Sequence, residues 1–258
     1  MNTTHKKTFL VKAAKIAEEV GKKLKKRNAS LLKVNSSKAH DIKIQADLEA
    51  ENKIIKYLRK NSDFSILSEE SKEIYKTKHS EHGSIQWIID PLDGTLNFLK
   101  GIPMCSVSIG LWNDDSPILG AVYDIFREDL YSGIANKGAW KNKNKIQVSG
   151  IRKFSDAVLC TGVPVKSSFS AQNLQNFVTD FQNYKKVRLF GSASLSLCMV
   201  ASGAVEVYKE NDIQVWDVAG AIPIVLGAGG KVQKIKTDKD THTYDVCASN
   251  GNVPILKS

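Results

Sequence analysis

The chain has 258 residues, of which 42% are hydrophobic and 25% are charged, and its formal net charge at pH 7 is +10. This composition is that of a globular protein with one sizeable core or two smaller ones. The N-terminal segment MNTTHKKTFLVKAAK lacks the apolar core of a signal peptide, and no apolar run approaches a membrane span. These features exclude a membrane partner and predict a soluble, cytoplasmic protein.

The first half of the chain is predicted to form two helices followed by β-structure. A helical period of apolar residues predicts a first helix over residues 3–27. A second helix is expected over residues 46–60, with Leu48 among its inward-facing side chains. The β-structure that follows is predicted as short strands at 64–67 and 85–90, an antiparallel meander of three runs between 105 and 133, and a turn with an edge strand at 135–149.

The second half of the chain alternates strands with helices. This change of rhythm predicts a layered α/β architecture in a single domain, residues 1–258, with subdomains of about 1–150 and 151–258. The predicted elements are a strand at 157–160, a helix at 170–183, a strand at 186–190, a helix at 192–202, a strand at 204–208, a helix from about 216, and strands at 231–235 and 244–249.

The positive net charge is compatible with a nucleic-acid partner, but the distribution of basic residues does not favour one. Lysine and arginine number 37 against 27 aspartates and glutamates, yet the basic residues are spread along the whole chain. Only residues 22–27, KKLKKR, form a basic block, and no aromatic residue interleaves with it. A well-solvated surface is therefore the preferred interpretation.

The cysteines and histidines do not indicate a zinc or redox site. The four cysteines are far apart and form no CxxC pair, so we expect buried free thiols in a reducing cytosol. The HxxH formed by His79 and His82 lies in a polar stretch without a third ligand nearby, which favours a solvated loop.

The stretch WIIDPLDGTLNF, residues 87–98, ends an apolar run with two aspartates three positions apart. Pro91 lacks a backbone donor and is expected to end the strand ladder, with Gly94 at the tip of the following turn. Carboxylates held as close as Asp90 and Asp93 repel each other unless a cation lies between them. A turn with helix-capping aspartates is the alternative interpretation.

Further carboxylates lie at strand ends and helix starts, where they can converge on one cleft. Glu69 and Glu70 follow the predicted strand 64–67, Asp217 begins a helix after a polar loop at 209–214, and Asp47 begins the second helix. Oxygen ligands without histidine or cysteine favour a hard cation, Mg²⁺ or Mn²⁺. The sequence therefore predicts a metal site, beside which backbone amides after Asp93 could bind a phosphate.

The segments SEE, DPLDGTLNF and WDVAG, in this order and spacing, resemble the inositol monophosphatase family of Mg²⁺-dependent, lithium-sensitive phosphomonoesterases. The resemblance covers nearly the whole chain. It implies an α+β fold, a layered α/β/α/β/α sandwich of the sugar phosphatase type. It also implies hydrolysis of a phosphate monoester by metal-activated water, and a homodimer.

The resemblance assigns a role to each carboxylate and to the neighbouring loops. Asp47 and Thr95 match the pair that orients and activates the attacking water, and Glu70 would lie behind the ligands or share a weaker metal. Two or three Mg²⁺ ions, or Mn²⁺, would be held by Glu69, Asp90, the Leu92 carbonyl, Asp93 and Asp217. The substrate would contact Gly94 and Thr95 through its phosphate, and Gly191, Ser192, Ala193 and Glu210 through its hydroxyl groups.

Several substrate classes stay open on this scaffold. A small phosphorylated polyol or sugar, inositol monophosphate first, is preferred because Asn97-Phe98 and DIQVWDVAG are more like that branch. The nearest competitor is a 3′(2′),5′-bisphosphate nucleotidase of the same family, and fructose 1,6-bisphosphatase and histidinol-phosphate phosphatase activities also occur on it. A nucleic-acid-binding protein on a degenerate phosphatase is the alternative of another class.

Overall fold

The computed structural model describes residues 1–26, 30–38, 41–71, 74–75, 84–163, 171–237 and 242–253. Helix α1 shows how the sequence sets an element: Asn2 caps its first turn by accepting from the His5 amide at 2.9 Å, and its apolar residues recur on one buried face. The helices are α1 (Thr3–Leu24), α2 (Gln45–Asn61), α3 (Thr95–Lys100), α4 (Ala171–Asn183), α5 (Ala193–Ala201), α6 (Val215–Ala219) and α7 (Ile222–Gly227), with a 3₁₀ turn at Phe154–Asp156.

The strands form a hairpin and two larger sheets. The eight-stranded sheet has the order β10-β9-β8-β7-β6-β5-β3-β4, and the five-stranded sheet has the order β12-β11-β13-β15-β14. The strands are β1 (Val34–Lys38), β2 (Asp41–Ile44), β3 (Ser65–Ser68), β4 (Ile74–Tyr75), β5 (Ile85–Asp93), β6 (Ser106–Asn113), β7 (Ser116–Asp124), β8 (Asp129–Ile134), β9 (Gly138–Lys141), β10 (Asn144–Ile146), β11 (Val158–Thr161), β12 (Lys186–Arg188), β13 (Val207–Gln214), β14 (Lys231–Lys236) and β15 (Thr243–Ser249).

The layers follow from side chains that alternate between the two faces of each sheet. On β5, Trp87 and Ile89 pack with α1 and α2 on one face of the eight-stranded sheet, whereas Ile88 packs with α5, α6 and α7 on the other. The same helices cover the inner face of the five-stranded sheet, and a smaller cluster around Leu159 and Tyr184 lies on its outer face, next to α4. The predicted layered α/β/α/β/α sandwich is confirmed.

Most predicted elements are present, and the following predictions need correction. Leu48 was expected to face inward but is 39% exposed, because the buried face of α2 is formed by its neighbours Ala46, Asp47 and Ala50. The polar loop expected at 209–214 belongs to β13, which begins at Val207 and not at residue 204. The predicted helix from 216 is divided into α6 and α7.

The four cysteines are free thiols, of which Cys105, Cys160 and Cys198 are buried and Cys247 is half-buried. The expectation of buried free thiols thus holds for three of the four, and the cytoplasmic location stays a prediction. No helix in the described parts of the chain has the length and apolar content needed to cross a bilayer. His79 and His82 lie outside the described residues.

Candidate active site

Strand β5 directs two aspartates to the same face of the large sheet because it contains a β-bulge. In its pairing with β6, Asp90 lies opposite Ser108 and Asp93 lies opposite Ser106. Ser106 and Ser108 are two positions apart on a regular strand and share a face, so Asp90 and Asp93 share it too. Pro91 lies within the bulge, where a missing donor is tolerated. The expectation that Pro91 ends the ladder is therefore wrong, since β5 continues to Asp93.

Three carboxylates meet at the end of this strand. Oxygen atoms of Glu69, Asp90 and Asp217 lie within 4.8 Å of one another. Burial, followed by the charges of its acidic neighbours, raises the pKa of Asp90 well above its usual range, and the same causes act on Asp217. Burial, and then the Glu70 charge, raises the pKa of Glu69 to about 7. Such a group of closely spaced carboxyl groups, of which Asp90 is buried and the other two are half-buried, fits a divalent cation with oxygen ligands.

Helix starts fix two of the site's carboxylates. Asp47 and Asp217 each occupy the third position of a helix, α2 and α6. Asp47 Oδ2 accepts from the Ile44 amide at 2.6 Å, and Asp217 Oδ2 accepts from the Gln214 amide at 3.2 Å. The backbone amides that precede α2 and α6 thus position these two carboxylates.

Asp47, Thr95 and Leu92 form a hydrogen-bonded group beside the cluster. The Thr95 hydroxyl lies 3.3 Å from Asp47 Oδ1 and 3.0 Å from the Leu92 carbonyl oxygen. A hydroxyl has one proton to donate, so its lone pairs stay available to a further donor. Burial, with the charges of Glu70 and Glu69 next among the causes that raise it, brings the pKa of Asp47 to about 8.

Asp93 lies next to the three-carboxylate cluster and is held by the start of α5. Its Oδ2 accepts from the Ser192 hydroxyl at 2.5 Å, from the Ser194 amide at 3.1 Å and from the Ser194 hydroxyl. Asp93 is 7% exposed, and burial raises its pKa although these donors act in the opposite direction. Ser192, predicted to contact substrate, therefore also supports a predicted metal ligand.

Glu70 is engaged by a lysine that the sequence did not indicate. The Lys43 ammonium lies 2.5 Å from Glu70 Oε2, and the Glu70 side chain is only 4% exposed. Lys43 belongs to the hairpin of β1 and β2, which was not predicted, and it lines the same cleft as the carboxylates. The structure thus places Glu70 in an ion pair at the edge of the site.

The cleft is also lined by the predicted specificity residues. It has a volume of about 440 Å³, and its lining includes Gly94 and Thr95 together with Gly191, Ser192, Ala193 and Glu210. Tyr208 donates to Glu210 Oε2 at 2.9 Å, and a Cβ on Gly162 would lie 2.3 Å from the same oxygen. Burial raises the pKa of Glu210 to about 7. Gly162 is therefore needed for this carboxylate to lie against the backbone.

Gly94 shapes the turn between the metal ligands and α3, a helix that the sequence analysis missed. Its φ of 84° lies in the left-handed region, and a Cβ there would lie 2.8 Å from the Met104 carbonyl oxygen. Gly94 thereby allows α3 to begin at Thr95, two residues after Asp93.

A profile described as the inositol monophosphatase family matches residues 5–255 of the chain. The chain belongs to this family. The protein named Nus factor SuhB from Pasteurella multocida is 36% identical over 208 residues, which are 78% of this chain and 74% of that protein. Inositol-1-monophosphatase from Synechocystis sp. is 33% identical over 225 residues, 84% of this chain and 75% of that protein.

The fold agrees with solved structures of the inositol monophosphatase family. The extragenic suppressor protein SuhB from Bartonella henselae superposes with a TM-score of 0.84 at 30% identity, covering 95% of each chain. Inositol monophosphatase from Anabaena (Nostoc) sp. superposes with a TM-score of 0.80 at 31% identity, covering 95% of this chain and 92% of that one. The chain is a phosphomonoesterase of a metal-dependent family, and its acidic cluster could bind a metal.

Proposed function

We propose that the protein hydrolyses the phosphate monoester of a polyol or sugar, inositol monophosphate first, with Mg²⁺ as cofactor and water as nucleophile. The observation that carries this proposal is one cleft lined both by a carboxylate cluster and by the half-buried Glu210 side chain. The cluster suits the phosphate and its metal ions, and Glu210 suits an alcohol that presents several hydroxyl groups.

The metal ions would be held by oxygen atoms from the bulge, from the loop after β3 and from α6. The proposed ligands for two or three Mg²⁺, or Mn²⁺, are Glu69, Asp90, the Leu92 carbonyl, Asp93 and Asp217. When bound, Mg²⁺ neutralises the phosphoryl oxygens and makes a water molecule a better nucleophile. Lithium inhibition, which the family resemblance implies, stays a prediction.

The protein's own groups orient the attacking water. Thr95 donates its single proton to Asp47 Oδ1 or to the Leu92 carbonyl, so a lone pair of its hydroxyl can accept a hydrogen bond from water. Asp47 is fixed by its hydrogen bond from the Ile44 amide, which limits the positions that Thr95 can adopt. The Gly94 and Thr95 amides are retained as proposed phosphate contacts because both residues line the cleft.

Glu210 is the proposed discriminator among alcohols. An ionised carboxylate accepts hydrogen bonds from sugar or inositol hydroxyls and repels a second phosphate at the same point. Tyr208 and the Gly162 backbone hold the Glu210 carboxyl in the cleft wall. This arrangement favours a polyol monophosphate over a 3′,5′-bisphosphonucleotide.

We expect wild-type kcat/KM to be higher for inositol 1-phosphate and a hexose phosphate than for 3′-phosphoadenosine 5′-phosphate. Glu210→Gln should lower kcat/KM for the polyol esters about tenfold, because hydrogen bonds to a charged acceptor are lost. The same substitution should also reduce the difference in kcat/KM between the polyol esters and 3′-phosphoadenosine 5′-phosphate. Glu49→Gln removes a carboxylate that pairs with Lys23 at the surface and serves as the matched control.

Two outcomes would contradict this account. A higher wild-type kcat/KM for the bisphosphonucleotide would show that the protein is a nucleotidase and not a polyol phosphatase. Unchanged kcat/KM values for all three substrates in Glu210→Gln would show that Glu210 does not determine specificity. The proposal for the metal site would still stand.

A nucleic-acid-binding function is the second candidate, because the net charge is +10 and several relatives are named Nus factor SuhB. The chain retains every side chain proposed to hold metal, which favours the phosphatase. Salt-sensitive RNA binding by a protein that releases no phosphate from any ester would favour this candidate instead.

We also propose a homodimer, supported by an apolar stripe on α4. Leu174, Val178 and Phe181 lie on one helix face and are 48%, 52% and 48% exposed. A second copy would cover these side chains, so sedimentation should give twice the chain mass of 28.5 kDa. Phe181→Lys should yield monomers, and Val11→Lys, at an exposed position on α1, should not. A monomeric wild type would contradict this proposal.

A further inference from the structure

Two fully buried serines connect β6 and α5 to Asp93. Ser106 on β6 and Ser194 on α5 are both 0% exposed, and their hydroxyl oxygens lie 2.6 Å apart. The Ser194 hydroxyl also contacts Asp93 Oδ2, whereas the Ser106 hydroxyl lies 3.5 Å from that oxygen. The pair therefore lies directly behind a proposed metal ligand, on the side of Asp93 that faces α5.

The protons of this group can be assigned from its chemistry. An ionised carboxylate only accepts hydrogen bonds, so Ser194 uses its one proton on Asp93 Oδ2. Ser194 can then only accept from Ser106, which gives a chain of donors from Ser106 through Ser194 to Asp93. The Ser192 hydroxyl and the Ser194 amide donate to the same oxygen.

Ser108 shows that a buried serine on this strand need not belong to such a chain. It lies two residues from Ser106, on the same face of β6, and is also 0% exposed. Its hydroxyl has no hydrogen-bond partner among the described residues and lies against Gly220. The contrast makes Ser108 a matched control for the removal of a buried hydroxyl.

We propose that Ser106 and Ser194 are positioning residues that hold Asp93 Oδ2 against α5 and so orient the carboxylate for a divalent cation. This inference rests on the proposed function, because it requires metal at the cluster. Donors that support a metal ligand commonly contribute about 10- to 100-fold to metal affinity. The serines also connect the metal site to Ser192 and Ala193, the predicted substrate contacts at the start of α5.

The test measures Mn²⁺ binding by the electron paramagnetic resonance signal of free Mn²⁺, without turnover. We expect the Ser106→Ala/Ser194→Ala double variant to bind Mn²⁺ about tenfold more weakly than wild type. Because the hydroxyls act in series, the effects of the two single variants should not add. Ser108→Ala should bind as wild type does, and near-ultraviolet circular dichroism should report an intact fold in all variants.

Kinetics separate positioning from a general structural defect. In the double variant, the Mg²⁺ concentration for half-maximal activity should rise about tenfold, while kcat at saturating Mg²⁺ should stay near wild type. Double-variant affinity within about twofold of wild type, in a wild type that binds Mn²⁺, would overturn the positioning role and leave the proposed function standing. A wild type that binds no Mn²⁺ would overturn both.

Discussion

Asp90→Asn should lower phosphatase turnover about a thousandfold and, at the same time, raise the melting temperature of the metal-free protein. Turnover falls because a ligand charge shared by the cluster is lost. The metal-free fold gains stability because burial, and then the charges of Glu69, Asp93 and Asp217, disfavour an ionised Asp90, and a neutral amide avoids both effects. The Asn amide oxygen can still accept from the Leu92 amide, which lies 3.0 Å from Asp90 Oδ1.

Two further variants make this result specific. Thr95→Ala should lower turnover about a hundredfold with nearly unchanged Mg²⁺ affinity, because Thr95 orients water and is not proposed to anchor a cation. Asp129→Asn removes a carboxylate that pairs with Lys141 at 2.8 Å, so it should slightly lower the melting temperature and leave turnover intact. Near-full turnover in Asp90→Asn, or a lower melting temperature of its metal-free form, would contradict this account of the cluster.

The metal-free protein should lose stability as the pH rises, and Mg²⁺ should cancel this loss. The pKa values of Glu69 and Asp47 are raised to about 7 and about 8 in the folded protein, mainly by burial. The folded state therefore holds more protons than the unfolded state above about pH 4, where ordinary carboxyl groups ionise. Under proton linkage, stability that is fully present below about pH 4 is lost as the pH rises through about 7 to 8.

Bound Mg²⁺ favours the ionised carboxylates and stabilises the folded state by mass action. At a concentration one hundred times the dissociation constant, the stabilisation is about 2.7 kcal/mol, or about 5–10 °C in Tm for a chain of this size. Differential scanning fluorimetry from pH 5 to pH 9, with EDTA and with Mg²⁺, measures the effect. The gap between the two curves should widen with pH, and equal midpoints throughout would contradict metal binding at the cluster.

The main carboxylates could be found from sequence because each follows a recognisable local signal. Asp90 follows an apolar run, and Asp47 and Asp217 lie in the first turns of helices, where their side chains accept hydrogen bonds from preceding amides. Local patterns of this kind depend on the neighbouring residues only. They predicted which side chains could face one cleft before any tertiary contact was known.

The residues that were missed depend on contacts between distant segments. Lys43 lies in the polar hairpin of β1 and β2, which has no apolar alternation to indicate strands, and its partner Glu70 is 27 positions away. Ser106 and Ser194 are 88 positions apart. Because each has apolar neighbours in the sequence, the local pattern predicts only a small residue in the core. The polar segment 209–214 joins β13 through pairing with β15, which a loop-like composition does not indicate.

The bulge in β5 has a consequence for how this segment can change in length. Successive side chains of a strand point to opposite faces of the sheet, so adding or removing one residue moves every following side chain to the other face. The bulge interrupts this alternation between Asp90 and Asp93, and so brings both carboxylates onto the face that carries the cleft. Surface loops tolerate a one-residue insertion or deletion, but here a single residue decides whether Asp93 meets α5 or the apolar layer beneath α1 and α2. The number of residues from Asp90 to Asp93, and not only their identity, therefore determines whether both carboxylates reach the cleft.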